Sequence, residues 1–350
     1  MAKRVTIQDI ADELRLSRNT VSKAINNTGV LSESTRKKVL AKAVEMGYKQ
    51  FSYMDLSFLD NPSSKKEAKE IVLLTASFLN NSHFASTMLD KFQAETSRLG
   101  YSLSLHNVAP NNLASKTLPP SIKLEHIAGI VCVELFDADY CRMLSDLDIP
   151  LLMIDAPVLN FGETLNADIL LMENTSGILS FIHEMKTRNC TSIGFIGDIN
   201  HCLSFSERFI AFRNGMYFNS LPIKDEHCII GYYDYKKTGI THQEFLIDHF
   251  MKLESFPDAF ICANDFIAMD VIQALRSFNL SCPEDIMLLG FDDSSESRII
   301  SPPLSTVHIH SQTIGYSAVE LLISRIREPG MEYRRLYVNS DLIYRESTRN

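Results

Sequence analysis

Thr6-Ile7-Gln8-Asp9-Ile10-Ala11, then Ser17-Arg18-Asn19-Thr20-Val21-Ser22-Lys23-Ala24-Ile25-Asn26, spell two short helices with a tight turn between them. Ile7, Ile10, Ala11 and Leu14 fall at helical spacing, so the first helix has one apolar face. Thr6 suits the N-cap, and Asp9 puts a carboxylate in the first turn, where backbone N–H groups lack partners. Leu16 closes the turn and Ser17 caps the second helix. On that helix Val21, Ala24 and Ile25 face inward, which leaves Arg18, Asn19, Ser22 and Lys23 outward. An exposed helix with Arg and Asn in its first turn carries the groups that read base edges. A guanidinium matches guanine and a carboxamide matches adenine. The plainer reading of the pattern is a helical hairpin with an ordinary polar surface.

Two observations favour the nucleic-acid reading. Ser32-Glu33-Ser34-Thr35 caps a third helix carrying Arg36, Lys37, Lys38 and Lys42 and ending at Gly47. The first 57 residues hold 10 Lys and Arg against 6 Asp and Glu, whereas the rest of the chain holds 24 against 37. A basic head on an acidic body is the asymmetry expected when only the head meets phosphate. Thr6-Ile-Gln-Asp-Ile-Ala, Leu16-Ser-Arg-Asn-Thr-Val-Ser-Lys, and Ser32-Glu-Ser-Thr-Arg through Met46-Gly47-Tyr48 resemble the N-terminal domain of the lactose-repressor (LacI/GalR) family. The resemblance implies DNA-contacting roles for Thr6, Ser17, Arg18, Asn19, Thr20, Ser22, Lys23 and Asn26. It also implies a short hinge helix after the head. Its usual Pro-Asn is replaced here by Gln50-Phe51, with Met54 at a small position and Leu56 one residue out of place.

At 350 residues the chain accommodates a small head and a body of two lobes. The composition, 45% apolar and 22% charged, is that of a folded globular protein. No run of about 20 apolar residues is present to span a bilayer. Met-Ala-Lys-Arg-Val-Thr is not followed by the apolar core of a signal peptide, so a cytoplasmic location is expected. The 7 cysteines are scattered, odd in number and without a Cys-x-x-Cys pair. They read as reduced core residues, with no disulfide framework and no metal site. No Walker A loop, His-Glu-x-x-His or dinucleotide glycine motif occurs, and no cofactor is expected. Asp198, His201 and Ser206 lie close in sequence, but without a nucleophile elbow they do not make a triad. The chain therefore reads as a non-enzyme.

Polar residues from Asp60 to Glu67 form a linker with a Pro stop. The expected division is a helix-turn-helix head over 1–58, a hinge and linker over 59–69, and a two-lobed body over 70–350. Ile71-Val-Leu-Leu-Thr is a buried-strand run, and a helical pattern extends from His83 to Leu99. Strand patterns follow at Tyr101–Leu105, Ala128–Val133 and Pro150–Asp155. A second series comprises Ile193–Gly197, Cys228–Gly231, Ala259–Ala263 and Ile286–Phe291. Strands alternating with helices predict parallel sheets with helices on both faces, in two Rossmann-like lobes. Ligands of open α/β sheets lie beyond the carboxyl ends of the strands. That rule selects Ser77, Phe78, Asp155, Asp198, Asn264, Asp265, Asp292 and Asp293.

The arrangement resembles the periplasmic-binding-protein-like effector domain of the same family. Ser206-Glu207-Arg208 with Phe212, Pro257-Asp-Ala-Phe-Ile-Cys-Ala-Asn-Asp, Gly290-Phe-Asp-Asp, Pro303-Leu-Ser-Thr-Val and Tyr344-Arg-Glu-Ser-Thr-Arg carry the likeness. It implies that Arg208 contacts a small-molecule effector. Phe78, Asp155, Asn264 and Asp292 complete the expected set, and Asp265 and Asp293 are assigned the structural role of capping the helices that follow. Phe84, Tyr232 and Tyr233 are further rings able to stack on a sugar face. The family pattern implies a repressor acting as a homodimer on a near-palindromic operator, its affinity set by a sugar-like or nucleoside-like effector. Ile314, Ala318, Val319 and Leu322 share a helical face in a region the resemblance places at the dimer interface. No heptad tail follows Arg349, so a tetramer is not expected. The alternative is a body that docks a protein corepressor instead of a small molecule.

Overall fold

The computed structural model describes residues 5–25, 31–46, 48, 70–76, 83–231, 233 and 238–348. Asn26, Gly47, the hinge pattern at Gln50–Leu56, the linker, Ser77, Phe78 and Tyr232 lie outside the described residues. The chain divides into two compact units, 1–67 and 68–350. No helix of the described residues is long and apolar enough to cross a membrane.

The head holds α1 (Ile7–Leu14), α2 (Arg18–Ile25) and α3 (Glu33–Glu45). Thr6 and Asp9 form a reciprocal capping box at the start of α1. The Asp9 carboxylate accepts the Thr6 N–H at 2.8 Å, and the Thr6 hydroxyl accepts the Asp9 N–H at 3.3 Å. Ser17 caps α2 by accepting the Thr20 N–H at 3.0 Å, and Ser32 caps α3 by accepting the Thr35 N–H at 3.2 Å. Ile10, Ala11, Val21, Ala24, Ile25, Val39, Leu40 and Ala43 form one small core, with Leu16 packed against it from the turn. The inward face read from the spacing is the face that is buried.

The body begins with β1 (Glu70–Thr75), α4 (His83–Arg98), β2 (Ser102–Asn107), α5 (Pro110–Ser115), β3 (Ile127–Val133), α6 (Ala138–Ser145), β4 (Leu151–Ile154) and β5 (Asp168–Met172). Next come α7 (Ser176–Thr187), β6 (Ile193–Ile196), α8 (Leu203–Phe218), β7 (Cys228–Ile229), α9 (His242–Phe250), β8 (Ala259–Cys262), α10 (Asp265–Arg276), β9 (Met287–Leu289) and α11 (Ser295–Ile299). The chain ends with β10 (Thr306–Ile309), α12 (Ser311–Arg327), β11 (Arg335–Val338) and β12 (Ser340–Ile343). Among the described residues the strands form a six-stranded sheet, β11-β5-β4-β3-β1-β2, and a four-stranded sheet, β7-β6-β8-β9. All pairings within these two sheets are parallel. Both faces of each sheet are covered, which is why the strands read as unbroken apolar runs. Along β1, Ile71 and Leu73 join one core while Val72 and Leu74 join another.

Each strand series forms its own parallel sheet, as expected, and the first sheet gains two strands that the series did not include, β5 and β11. Strand β11 returns from the far end of the chain to pair with β5 at the edge of the first sheet. The chain thus passes between the lobes three times: after β5, between β10 and α12, and between β11 and β12. The last two passages are tied together by antiparallel pairing of β10 with β12. Helix α12 packs on α4 in the first lobe. Gly315 permits this crossing, because a Cβ there would stand 2.4 Å from the Met88 carbonyl oxygen. The resemblance assigns part of this region to a dimer interface, but one face of α12 is turned inward. Ile314, Ala318, Val319 and Leu322 are all buried in this chain's own core.

Candidate functional site

In the head, Arg18 and Asn19 stand exposed in the first turn of α2, while Thr20, Ser22 and Lys23 are half-buried. The hydroxyls of Thr6 and Ser17 serve as helix caps, and Ser17 also shares a 2.8 Å hydrogen bond with Thr20. Each hydroxyl satisfies a backbone N–H that the first helical turn would otherwise leave unpaired. What α2 offers outward is therefore a guanidinium and a carboxamide side by side.

In the body, four acidic residues stand where strands β3, β4 and β9 end: Glu134, Asp155, Asp292 and Asp293. All four have left-handed backbone, with φ of 51°, 60°, 108° and 53°. Non-glycine residues held in this region are costly, and such strain collects at binding sites. Arg208, on α8, is 2% exposed. Its Nε donates to Asn174 Oδ1 at 3.0 Å and its Nη1 to the Ala263 carbonyl at 2.6 Å. Its Nη2 lies 3.6 Å from Asp292 Oδ1. The guanidinium sits 3.5 Å from the centroid of the Phe291 ring, a cation–π contact that a buried arginine requires in place of water.

Burial pushes Asp292 up to about 7, with Asp265, Glu134 and Asp155 adding to the rise and Arg208 opposing it. Asp292 also lines a cavity of about 390 Å³ with Phe84, Thr87, His308 and His310. Phe84 packs against the core as well, so it serves both.

The other expected residues have stated partners. Asp155 Oδ1 accepts the Ala156 N–H at 2.7 Å and the Ser204 N–H, in the first turn of α8, at 3.2 Å. Asn264 is the N-cap of α10, its oxygen accepting the Ile267 N–H at 2.9 Å. The amide N–H donors of Asn264 are what it can present to a ligand. Asp265 is fully buried and accepts the Ser294 N–H at 2.8 Å and the Thr306 hydroxyl at 2.6 Å. Burial raises it to about 6. Asp293 binds His308, Arg298 and Arg345. These two aspartates tie loops together, and neither caps the helix that follows it as expected: Asn264 and Ser294 are the caps.

The Asp198, His201 and Ser206 grouping is not assembled as a triad. Asp198 accepts the Asn200 N–H at 2.9 Å, and the His201 ring packs on Phe136 and Phe205 at 5.2 and 5.0 Å. Tyr233 donates its hydroxyl to the Ile240 carbonyl and packs on His242 and Phe245. Sequence reasoning missed Asn174, Phe291, Phe136 and Glu207. Asn174 follows the apolar run Ile169–Met172 just as Asp155 follows Leu151–Ile154, and that signal was available.

The description "Bacterial regulatory proteins, lacI family" matches residues 6–50, and "Periplasmic binding protein-like domain" matches residues 182–348. The transcriptional regulator GalR of Lacticaseibacillus casei is 26% identical, covering 98% of this chain and 99% of its own length. The transcriptional repressor PurR of Actinobacillus pleuropneumoniae is 27% identical, covering 99% and 98%. Among solved structures, the regulator CelR in complex with cellobiose superimposes with a TM-score of 0.67 at 21% identity, over 98% of this chain and all of that one. The lac repressor dimer bound to operator and an anti-inducer gives 0.65 at 20% identity, over 99% of both. These relatives are transcriptional regulators, not enzymes. In the order these relatives share, the chain carries a regulatory-protein domain of the lacI family followed by a periplasmic-binding-protein-like domain.

Proposed function

We propose that this chain is a sequence-specific transcriptional repressor whose operator affinity is set by a small polyhydroxylated molecule, sugar-like or nucleoside-like, held between the two lobes of its body. The observation that carries the reading is Arg208, buried among Asn174, Asp292 and Phe291 beyond the strand ends. A planar fork of donors beside a carboxylate suits vicinal hydroxyls. The cellobiose of CelR and the operator-bound lac repressor support the same division of labour between body and head. Arg18 and Asn19 read bases, Ser22, Lys23, Thr20 and Asn26 support them, and the protein acts as a homodimer on a near-palindromic site. The effector acts by preferring one lobe arrangement. Its effect on DNA affinity equals its differential affinity for the two states, and the coupling is reciprocal.

The test starts by selecting a preferred duplex from a random pool with the full chain. Arg18→Ala should lose about 1–3 kcal/mol on that duplex and little on random DNA. Arg208→Ala should bind the duplex as the wild type does, yet lose the response to the sugar or nucleoside that a thermal-shift screen identifies. Equal loss on both DNAs overturns the base-reading role. A normal response in Arg208→Ala overturns the cleft assignment.

A further inference from the structure

We propose that Glu207 is a positioning residue that latches the two lobes together and couples the buried Arg208 to their closure. Glu207 belongs to α8, whose Phe209 and Phe212 pack on Phe195 of the second sheet. Its Oε1 accepts the Tyr337 hydroxyl at 2.8 Å, and its Oε2 accepts the Asn174 amide at 2.8 Å. Asn174, 2% exposed, lies on the first passage between the lobes, just after β5. Tyr337 lies in β11, one residue from the strand's end at the third passage. One carboxylate thus holds two of the three passages to one helix.

A carboxylate suits both partners. It offers acceptors only, so it receives an amide and a phenol at once without reorienting either. The same Asn174 gives its oxygen to Arg208 Nε at 3.0 Å. Arg208, Asn174, Glu207 and Tyr337 therefore form one continuous line of hydrogen bonds from the cleft to the returning strand. The first turn of α8 adds two more bonds to the first lobe: Leu203 N–H to the Ala156 carbonyl at 2.8 Å, and Ser204 N–H to Asp155 at 3.2 Å. A change of lobe angle has to break or turn this set, while a ligand drawing on Arg208 changes the arginine's hold on Asn174. The latch stands on geometry alone; its regulatory consequence rests on the reading of the cleft given above.

Hydrogen exchange on the full chain tests the latch without any ligand. Tyr337→Phe keeps the ring and removes the hydroxyl. It should raise exchange at residues 173–176 and 203–208 about 3- to 10-fold, while β8 and α12 are unchanged. Glu207→Ala, which removes both acceptors, should do at least as much. The double variant should do no more than Glu207→Ala, because the Tyr337 bond is already lost there. A purely structural role would instead raise exchange throughout and lower the melting temperature. Unchanged exchange in Tyr337→Phe, or additive effects in the double variant, overturns the latch. Cellobiose and D-ribose serve as probes in calorimetry with the same variants. A probe that binds the wild type should bind Tyr337→Phe with about 3- to 10-fold altered affinity. It should not bind Arg208→Ala. Retained binding in Arg208→Ala overturns the cleft reading and leaves the exchange result standing. Unaltered probe affinity in Tyr337→Phe overturns the coupling.

Discussion

Asp292 is where charge and site meet. It titrates near 7 in the folded chain and near 4 when unfolded. Between those values the folded state holds a proton the unfolded state lacks, so stability falls as pH rises through that window. Asp265, raised to about 6, acts with the same sign. Asp292→Asn cannot titrate, and urea unfolding at pH 5 and pH 7 should show a smaller fall than in the wild type. An equal fall removes Asp292 from the account. Asp168 and Asp293 behave oppositely. Burial raises each, but Arg325 and Arg334 in the first case, and Arg345 and Arg298 in the second, hold them below the ordinary carboxylate range. Their contribution is full at neutral pH and is lost only as pH falls through the acid range. Arg208, Asn264 and Asp292 stand out in the sequence because each sits in a recognisable motif or closes an apolar run, and of these the structure brings Arg208 to Asp292. What each touches was not legible there.

Elements were legible where local chemistry specifies them. The head is the clearest case, since its caps and apolar faces are set by residues three or four apart. Thr6→Ala removes the hydroxyl that accepts the Asp9 N–H, while the bond from the Thr6 backbone N–H to the Asp9 carboxylate remains, and should cost about 0.5–2 kcal/mol. Faster exchange of the amides of residues 7–14 in the full chain would register that loss. No change would mean that the cap hydroxyl contributes nothing. Strand β11 was invisible for a physical reason. Arg335, Leu336 and Tyr337 are all exposed, and Val338 alone is buried, so an edge strand of this kind has no alternation to read. Strand β5 begins with a fully buried aspartate, which interrupts the apolar signal at its start. Helix α12 showed its apolar face in the sequence, but periodicity does not say whether such a face meets another copy or the chain's own core.

At the scale of the whole molecule, Asp168 joins segments distant in sequence. It binds Arg325 with both oxygens at 3.0 Å, and Arg334 through its side chain at 3.0 Å and its backbone N–H at 2.7 Å. These bonds hold the start of β5 to the end of α12 and the approach to β11. Asp168→Ala would leave Arg325, 2% exposed, buried without its counter-charge. The expected cost is about 3–5 kcal/mol, seen as a lower urea midpoint. A loss below about 1 kcal/mol would place the return of β11 on apolar packing instead. The sequence by itself determined the helix caps, the apolar runs of both strand series and the split between a basic head and an acidic body. Each of these depends on residues close along the chain or on simple counts. Tertiary structure alone decided that β11 completes the first sheet, that Asp155 caps α8, and that Arg208 meets Asn174 and Ala263. The Arg208 contacts lie 34 and 55 positions apart, and the Glu207–Tyr337 bond spans 130. No local periodicity carries pairings across such separations; they follow from how buried polar groups find partners once the lobes are packed.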